Sequence, residues 1–446
     1  MSTEGAPDGN DSAAVPRTTL GTAFRFFLPL MFMAELMMIS HAVITAFLAR
    51  MPDPEPVIAA YSISFHFHAT LGSPVWACQI VAISFIRDRA SMRHLLRFSL
   101  QVAASITWFW FLVGLTPLGD WFFTTLFGAS PEVAAAAKVC MLVAFLIIPC
   151  AIFRSLAYAL MMVKRRTMLV TYGTLIRLAC LFGILAVLTL HVDGAVVGIL
   201  ALFGCIAIET VYSVIVARRF YRELPEQTAP LPAYRELWRF SWPIMMMQGT
   251  ESGVAFTINS FLGRLPAAEL ALAGFGVLDS LLRVLLSPLR NLTHTTQTLV
   301  RERADLRVLV VFGIQIGAAF SLGMLMLQVP AARDWILHDV MGLRDSLADY
   351  VAPALVASAV LAACMASAAV ARGLLIASRN TGAIAVASVA RLAAVALVGA
   401  LALLLDIDNG ALIGVLALTG AFATEGVLLT WRLRRLDQGT PRLFES

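Results

Sequence analysis

"FIRDRASMR" occupies residues 85–93 and "LVRERADLR" occupies 299–307, so Arg87, Arg89 and Arg93 return as Arg301, Arg303 and Arg307, each 214 residues later. The echo runs outward from there. "FRFFLP" at 24–29 returns as "WRFSWP" at 238–243, and "FLARMP" at 47–52 as "FLGRLP" at 261–266. Ser73-Pro74 recurs as Ser287-Pro288 and Arg177 as Arg391; after a slip of two residues, Gly194, Gly198 and Glu209 align with Gly410, Gly414 and Glu425. Weak internal symmetry of this kind marks a duplicated architecture.

Composition says where the duplicated unit resides. With 59% hydrophobic and 14% charged residues and a mean hydropathy of +0.83, the 446-residue chain cannot shield its apolar groups as a soluble globule. A membrane-spanning helix takes about 20 mostly apolar residues. Twelve such blocks are present, at about 20–48, 56–86, 98–118, 133–162, 168–190, 195–217, 240–263, 267–300, 308–329, 349–376, 382–405 and 410–431. The predicted fold is an all-α membrane protein of twelve transmembrane helices in two parallel six-helix repeats, because an even number of spans returns each half to the same side. Residues 1–19 read as a disordered cytoplasmic tail, 20–217 as the first lobe and 218–237, with Pro225, Pro230 and Pro232, as a cytoplasmic linker. Residues 238–435 read as the second lobe and 436–446 as a second cytoplasmic tail.

The leader lacks the basic region and cleavage site of a signal peptide. Arginine and lysine concentrate in the joints after helices 2, 4, 6, 8 and 10, while the opposite joints are acidic on balance, which places both termini in the cytoplasm of a cell-membrane protein. The net charge of +5 reflects that sidedness, and without a basic soluble domain no nucleic-acid partner is expected. All six cysteines fall inside apolar blocks without C-x-x-C spacing and read as packing residues.

Charges inside the apolar blocks are the functional candidates, since each costs roughly 3 kcal/mol at the bilayer centre on insertion scales. Counted at about 1.5 Å per residue from the basic joints, Arg177 and Glu209 project to matching depths on adjacent helices, and Arg391 and Glu425 repeat the arrangement. Both pairs read as structural clips for the last two helices of each lobe. Arg154 and Arg290 also project to mid-membrane, with no evident acid at their depth, and are the sharper substrate-binding candidates. Arg372 is a third, against a snorkelling side chain, and His66 a fourth, against helical packing. His66 and His68 stand two apart and cannot share one metal from a regular helix. Asp279 and Arg283 read as a local i, i+4 ion pair. Glu35 and Glu251 sit near the middle of the first helix of each lobe, where a carboxylate either carries a proton, helps hold Na⁺ or serves as a hydrogen-bonded packing group. Pro29 and Pro243 bend those two helices, toward a cleft or for packing alone. No phosphate-binding loop, metal-ligand cluster or catalytic set is present in the sequence, so no cofactor, metal or enzymatic activity is expected.

The early proline in the first helix of each half, "FLGRLPAAELALAGFG" at 261–276 and the amphipathic "GDWFFTTLFGASPEV" at 119–133 resemble the multidrug and toxin extrusion (MATE) transporters. Within their flippase superfamily, "FRFFLPL", "RDR" at 87–89, "FSWPI" and "DGAVVG…ET" are most similar to the ANK (progressive ankylosis) proteins. The resemblance implies a V-shaped pair of six-helix lobes alternating between inward-open and outward-open states. It also implies a coupling acid in the first or seventh helix, here Glu35 or Glu251, and export of organic cations, lipid-linked sugars or small anions. The arginine surplus favours an anion, because a guanidinium matches carboxylate and phosphate geometry. The expected activity is therefore H⁺- or Na⁺-coupled antiport of a small organic anion out of the cell. A lipid-linked glycan flippase, a multidrug cation pump and a major-facilitator-type transporter are the rival readings. The expected partners are the small-molecule or lipid-linked substrate, H⁺ or Na⁺ and the lipid bilayer, and the chain is read as a monomer.

Overall fold

The computed structural model describes residues 18–126, 130–341, 343–405 and 407–439, so most of both expected tails lies outside it. The first lobe holds α1 (Leu20–Leu48), α2 in two pieces (Pro54–Leu71 and Ser73–Phe85), α3 (Arg89–Leu115), α4 in two pieces (Pro131–Ala144 and Ile147–Val163), α5 (Thr167–Leu188) and α6 (Val196–Arg222). The second holds α7 (Tyr234–Leu262), α8 (Ala268–Leu286, a 3₁₀ turn at Ser287–Arg290, then Asn291–Leu299), α9 (Arg303–Met326), α10 (Asp345–Ala377), α11 (Gly382–Leu404) and α12 (Gly410–Gly439). Helix α12 thus runs past the boundary at 435 expected from sequence.

Among the described residues, nine helices are long and apolar enough to cross a membrane on their own, and α4 makes a tenth, its pieces meeting at 43°. Helices α2 and α7 complete the twelve but fall short by that measure. Gly72 and the Ser73-Pro74 step divide α2, and α7 carries Gln248, Thr250, Glu251 and Ser252 at its middle. The repeated Ser-Pro marks a break in both halves, at Ser73 in α2 and at Ser287 in α8, as expected where proline removes a helical donor.

Packing follows the repeat. In each lobe the sixth helix lies on the fourth and fifth, α6 on α4 and α5, and α12 on α10 and α11; the first helix lies on the fifth. Gly198 and Gly414 show how closely the halves correspond. A Cβ on Gly198 would stand 2.7 Å from the Tyr61 ring, and one on Gly414 would stand 2.0 Å from the ring of Phe275, the residue 214 after Tyr61.

The arginine clusters that reveal the duplication lie on helix caps. Asp88 caps α3 and receives Ser91 N at 2.7 Å, while Ser91 Oγ accepts from Asp88 N; in the second half Glu302 and Asp305 form the corresponding capping box on α9. Each box also holds a strand of chain that leads into the opposite lobe. Asp88 Oδ2 accepts from Thr228 N at 2.7 Å and Thr228 Oγ1 at 2.9 Å in the linker, and Asp305 Oδ1 accepts from Thr18 N at 3.2 Å before α1. The turn after the fourth helix of each lobe repeats as well: Arg165 and Arg379 both take the left-handed backbone, at φ 56°.

This basic end is where the lobes close. Asn291 Nδ2 donates to Leu30 O at 2.9 Å, Gln297 Nε2 to Ile80 O at 2.7 Å and Ser84 Oγ at 2.9 Å, and Phe85 meets Phe240 edge to face at 5.0 Å. Above Asn291 the lobes part around a cleft.

Candidate functional site: the charged cleft

Because α6 packs on both α4 and α5, three of the suspect charges converge in the first lobe. Arg154 Nη1 donates to Glu209 Oε2 at 2.6 Å, and Arg177 Nη1 lies 3.7 Å from the same oxygen. Tyr158 Oη and Thr174 Oγ1 donate to Glu209 Oε1 at 2.7 and 3.1 Å. Arg154 therefore has an acid at its own depth, contrary to the sequence reading, and it is buried away from the cleft. Depth counting placed Glu209 beside α5 correctly but did not foresee that α4 packs on the other side of α6.

The second lobe builds a similar knot. Glu425 accepts from Arg372 Nε and Nη2, each at 2.6 Å, and from Arg391 Nη1 at 3.0 Å. Arg391 Nη2 goes on to Met247 O at 2.9 Å and Thr250 Oγ1 at 2.8 Å on α7. Arg372 does not snorkel: its guanidinium is only 5% exposed and turns inward to Glu425. With both partners of Glu425 internal, Arg372 serves the buried knot rather than the cleft surface.

Glu251 extends this knot into the cleft. Its Oε2 lies 4.0 Å from Arg372 Nη1, and its Oε1 lies 2.9 Å from Arg290 Nη2. Arg290 thus also has an acid within reach, which corrects the sequence reading of an unpaired residue. The contact is an ion pair by distance only, because no donor is aligned on Glu251 Oε1. The Glu251 side chain is 14% exposed and that of Arg290 is 51% exposed.

The cleft around them measures about 260 Å³. Its first-lobe wall is apolar, with Met33, Ala34, Met37 and Met38 of α1. The opposite wall carries Glu251, Asp279, Arg283 and Arg290, backed by Met365 and Phe422. Asp279 and Arg283 form the expected helical pair, at 2.6 Å. Within and just behind this wall stand four arginines, Arg283, Arg290, Arg372 and Arg391, against three acids, Asp279, Glu251 and Glu425.

Glu35 does not share the position of Glu251. The residue 214 after Glu35 is Gly249, and the residue 214 before Glu251 is Met37. Glu35 is half-buried on α1 and does not line the cleft. The side chain of His66 lies outside the described residues, while His68 is buried edge-on to Trp110 at 5.1 Å. Among the described residues no cluster of three or more His, Cys, Asp or Glu is placed to hold a metal.

No protein-family model and no curated protein matches the chain in sequence. Its fold, however, superimposes on solved transporters over nearly the whole length. A eukaryotic MATE transporter is similar at a TM-score of 0.75 and 14% identity, covering 95% of this chain and 98% of that one. A MOP-superfamily transporter from Pyrococcus furiosus, described by a binding pocket of reverse polarity that suggests a different function, is similar at 0.72 and 14%, covering 96% and 98%. A MATE transporter in complex with Rb⁺ is similar at 0.72 and 18%, covering 96% of each chain. The chain has the fold of the MATE transporters.

Proposed function

We propose that this chain is a secondary-active exporter of the MATE type for a small organic anion, working by alternating access between two six-helix lobes. The observation that carries the reading is Arg290, a half-exposed guanidinium in the cleft between the lobes whose acid neighbour is near but not aligned on it. A guanidinium in such a place offers unused donors in a fork suited to carboxylate, sulfonate or phosphate. The methionine wall of α1 suits an apolar body attached to that group, since methionine adapts to irregular shapes.

Glu251 is the acid we assign to ion coupling, because it touches both Arg290 in the cleft and Arg372 in the buried knot. Glu35 lacks such a connection and is not assigned the role. With the basic end cytoplasmic, as the loop charges favour, the closed seam at Asn291 and Gln297 makes this the outward-facing state. A multidrug cation pump fits less well, because both acids of the cleft wall, Glu251 and Asp279, already have arginine neighbours, at 2.9 and 2.6 Å.

The test is efflux from proteoliposomes loaded with naphthalene-2-sulfonate or with tetraphenylphosphonium. Protein-dependent efflux of the sulfonate, lost in Arg290→Gln, supports the reading; efflux of the phosphonium alone contradicts it.

A further inference from the structure

The basic end of the second lobe holds a separate cavity, away from the charged cleft, of about 470 Å³. Arg239 and Glu236 of α7, Arg379 and Gly382 at the turn from α10 into α11, and Arg432 of α12 line it, with Phe85 of the first lobe against one side. We propose that this cavity binds the phosphate of an anionic phospholipid headgroup.

The charges call for an anion. Glu236 is the only acid among the lining residues, and its Oε1 is already 3.2 Å from Arg379 Nη1. Arg379 also lies over the Phe85 ring, 4.5 Å from its centroid. Burial and the nearby Arg87 guanidinium disfavour the charge on Arg379 more than Glu236 favours it, so its proton is held less tightly than on an ordinary arginine. Arg239 and Arg432 have no hydrogen-bonding or ion-pair partner among the described residues. Two guanidinium forks thus meet at one cavity with their donors unused, and phosphate oxygens match that geometry. Helix α11 begins at the same cavity without a side-chain cap, which adds the positive end of a helix dipole. The first lobe is built differently here: Met168 stands at the position of Gly382 and, after the two-residue slip, Val216 at that of Arg432.

The tryptophans say where the phosphate comes from. Trp238 and Trp431 immediately precede the two unpartnered arginines and are 42% and 49% exposed, and Trp242 continues the exposed face of α7 one turn on. Exposed tryptophan near the ends of membrane helices gathers at headgroup level. A basic pocket between helices at that depth meets lipid phosphates directly. A phosphatidylcholine headgroup also brings its own ammonium, which the arginines oppose, whereas phosphatidylglycerol brings the phosphate alone.

The experiment is native mass spectrometry of the full chain in detergent with equal amounts of phosphatidylglycerol and phosphatidylcholine. The wild type is expected to retain phosphatidylglycerol in preference. Arg239→Gln with Arg432→Gln is expected to weaken that retention by at least ~10-fold, since each removes a charged donor to the phosphate. Arg93→Gln with Arg97→Gln takes the same charge from exposed positions on α3 and is expected to retain the lipid as the wild type does. If the first pair fails to fold, the single variants Arg239→Gln and Arg432→Gln decide, each with a several-fold loss. Equal retention of the two lipids by the wild type overturns the proposal. So does equal loss in the α3 control, which would make the effect one of general surface charge. Millimolar glycerol 1-phosphate is the soluble arm: displacement of the lipid by it would mean a phosphate taken from solution and would overturn the assignment to a headgroup.

Discussion

Arg372 stands 214 residues after Tyr158, and each donates to the buried glutamate of its own lobe: Tyr158 Oη to Glu209 Oε1 at 2.7 Å, Arg372 Nε to Glu425 Oε1 at 2.6 Å. The duplication kept the carboxylate and changed its donor from a phenol to a guanidinium. Arg154 supplies the first lobe's corresponding charge from one helical turn away, whereas the residue 214 after Arg154 is Ala368. Moving the charge by one turn brings Arg372 within 4.0 Å of Glu251, and this connects the second lobe's knot to the cleft.

Both knots are expected to be structural. Glu209→Gln and Glu425→Gln each strand two buried guanidiniums, and removing one side of a buried pair typically costs about 3–5 kcal/mol. Each variant is expected to melt well below the wild type in detergent or to fail to accumulate. Unchanged melting in both would show that these carboxylates are not what holds the arginines inside.

The repeated glycines set a packing limit. Gly414→Ala would place a methyl group 2.0 Å from the Phe275 ring, and Gly198→Ala one 2.7 Å from Tyr61. Overpacking of this kind costs about 1–3 kcal/mol, so both variants are expected to melt lower, Gly414→Ala more so. The double variant Gly414→Ala with Phe275→Leu is expected to recover part of the loss.

Much of this was written in the sequence, and what was missed has a common cause. Period and hydropathy give the twelve helices, and the 214-residue echo gives the lobes. Depth counting brought Arg177 toward Glu209 and Arg391 toward Glu425, because those residues lie on helices adjacent in the chain. It did not pair Arg154 with Glu209 or Arg372 with Glu425, because the contact of the fourth helix with the sixth skips a helix. Arg290 and Glu251 carried a signal that went unused: their repeat partners are Trp76 and Met37, so the charges exist in one half only. Each knot keeps a repeated acid and arginine, Glu209 with Arg177 and Glu425 with Arg391, whereas neither member of the cleft pair has a charged counterpart in the other half.

The linker is held by Asp88. Burial pushes its carboxyl up, but hydrogen bonds from Thr228 and Ser91 outweigh this and keep it well below the ordinary carboxylate range. A depressed folded-state value means that its stabilisation is present above the unfolded carboxylate range and is lost only as the pH falls below that. Protease cleavage within 222–232 is therefore expected to be flat from pH 5 to 9 in the wild type. Asp88→Asn is expected to raise cleavage across that whole range and to cost about 1–2 kcal/mol, the worth of a helix cap. Equal cleavage of the two proteins would show that Asp88 does not restrain the linker.

Closure of the basic end rests on the two amides of α8. Gln297→Leu removes the donor to Ile80 O and Ser84 Oγ, and Asn291→Leu the donor to Leu30 O. Combined, they are expected to shift the lobes toward opening at that end. A cysteine at Ser84 reports the shift: its reaction with a water-soluble maleimide is expected to be several-fold faster in the double variant, and an unchanged rate would mean that other contacts hold the seam.

The sharpest question is whether the cleft selects anions through Arg290. Equilibrium dialysis of naphthalene-2-sulfonate and tetraphenylphosphonium against the purified protein at pH 6 answers it. An anion site at Arg290 predicts that the wild type binds the sulfonate and not the phosphonium. It also predicts that Arg290→Gln, while still folded, loses about 1.5–3 kcal/mol of sulfonate binding, the worth of a hydrogen bond to a charged group. Tighter binding of the phosphonium by the wild type, or undiminished sulfonate binding by folded Arg290→Gln, would contradict it.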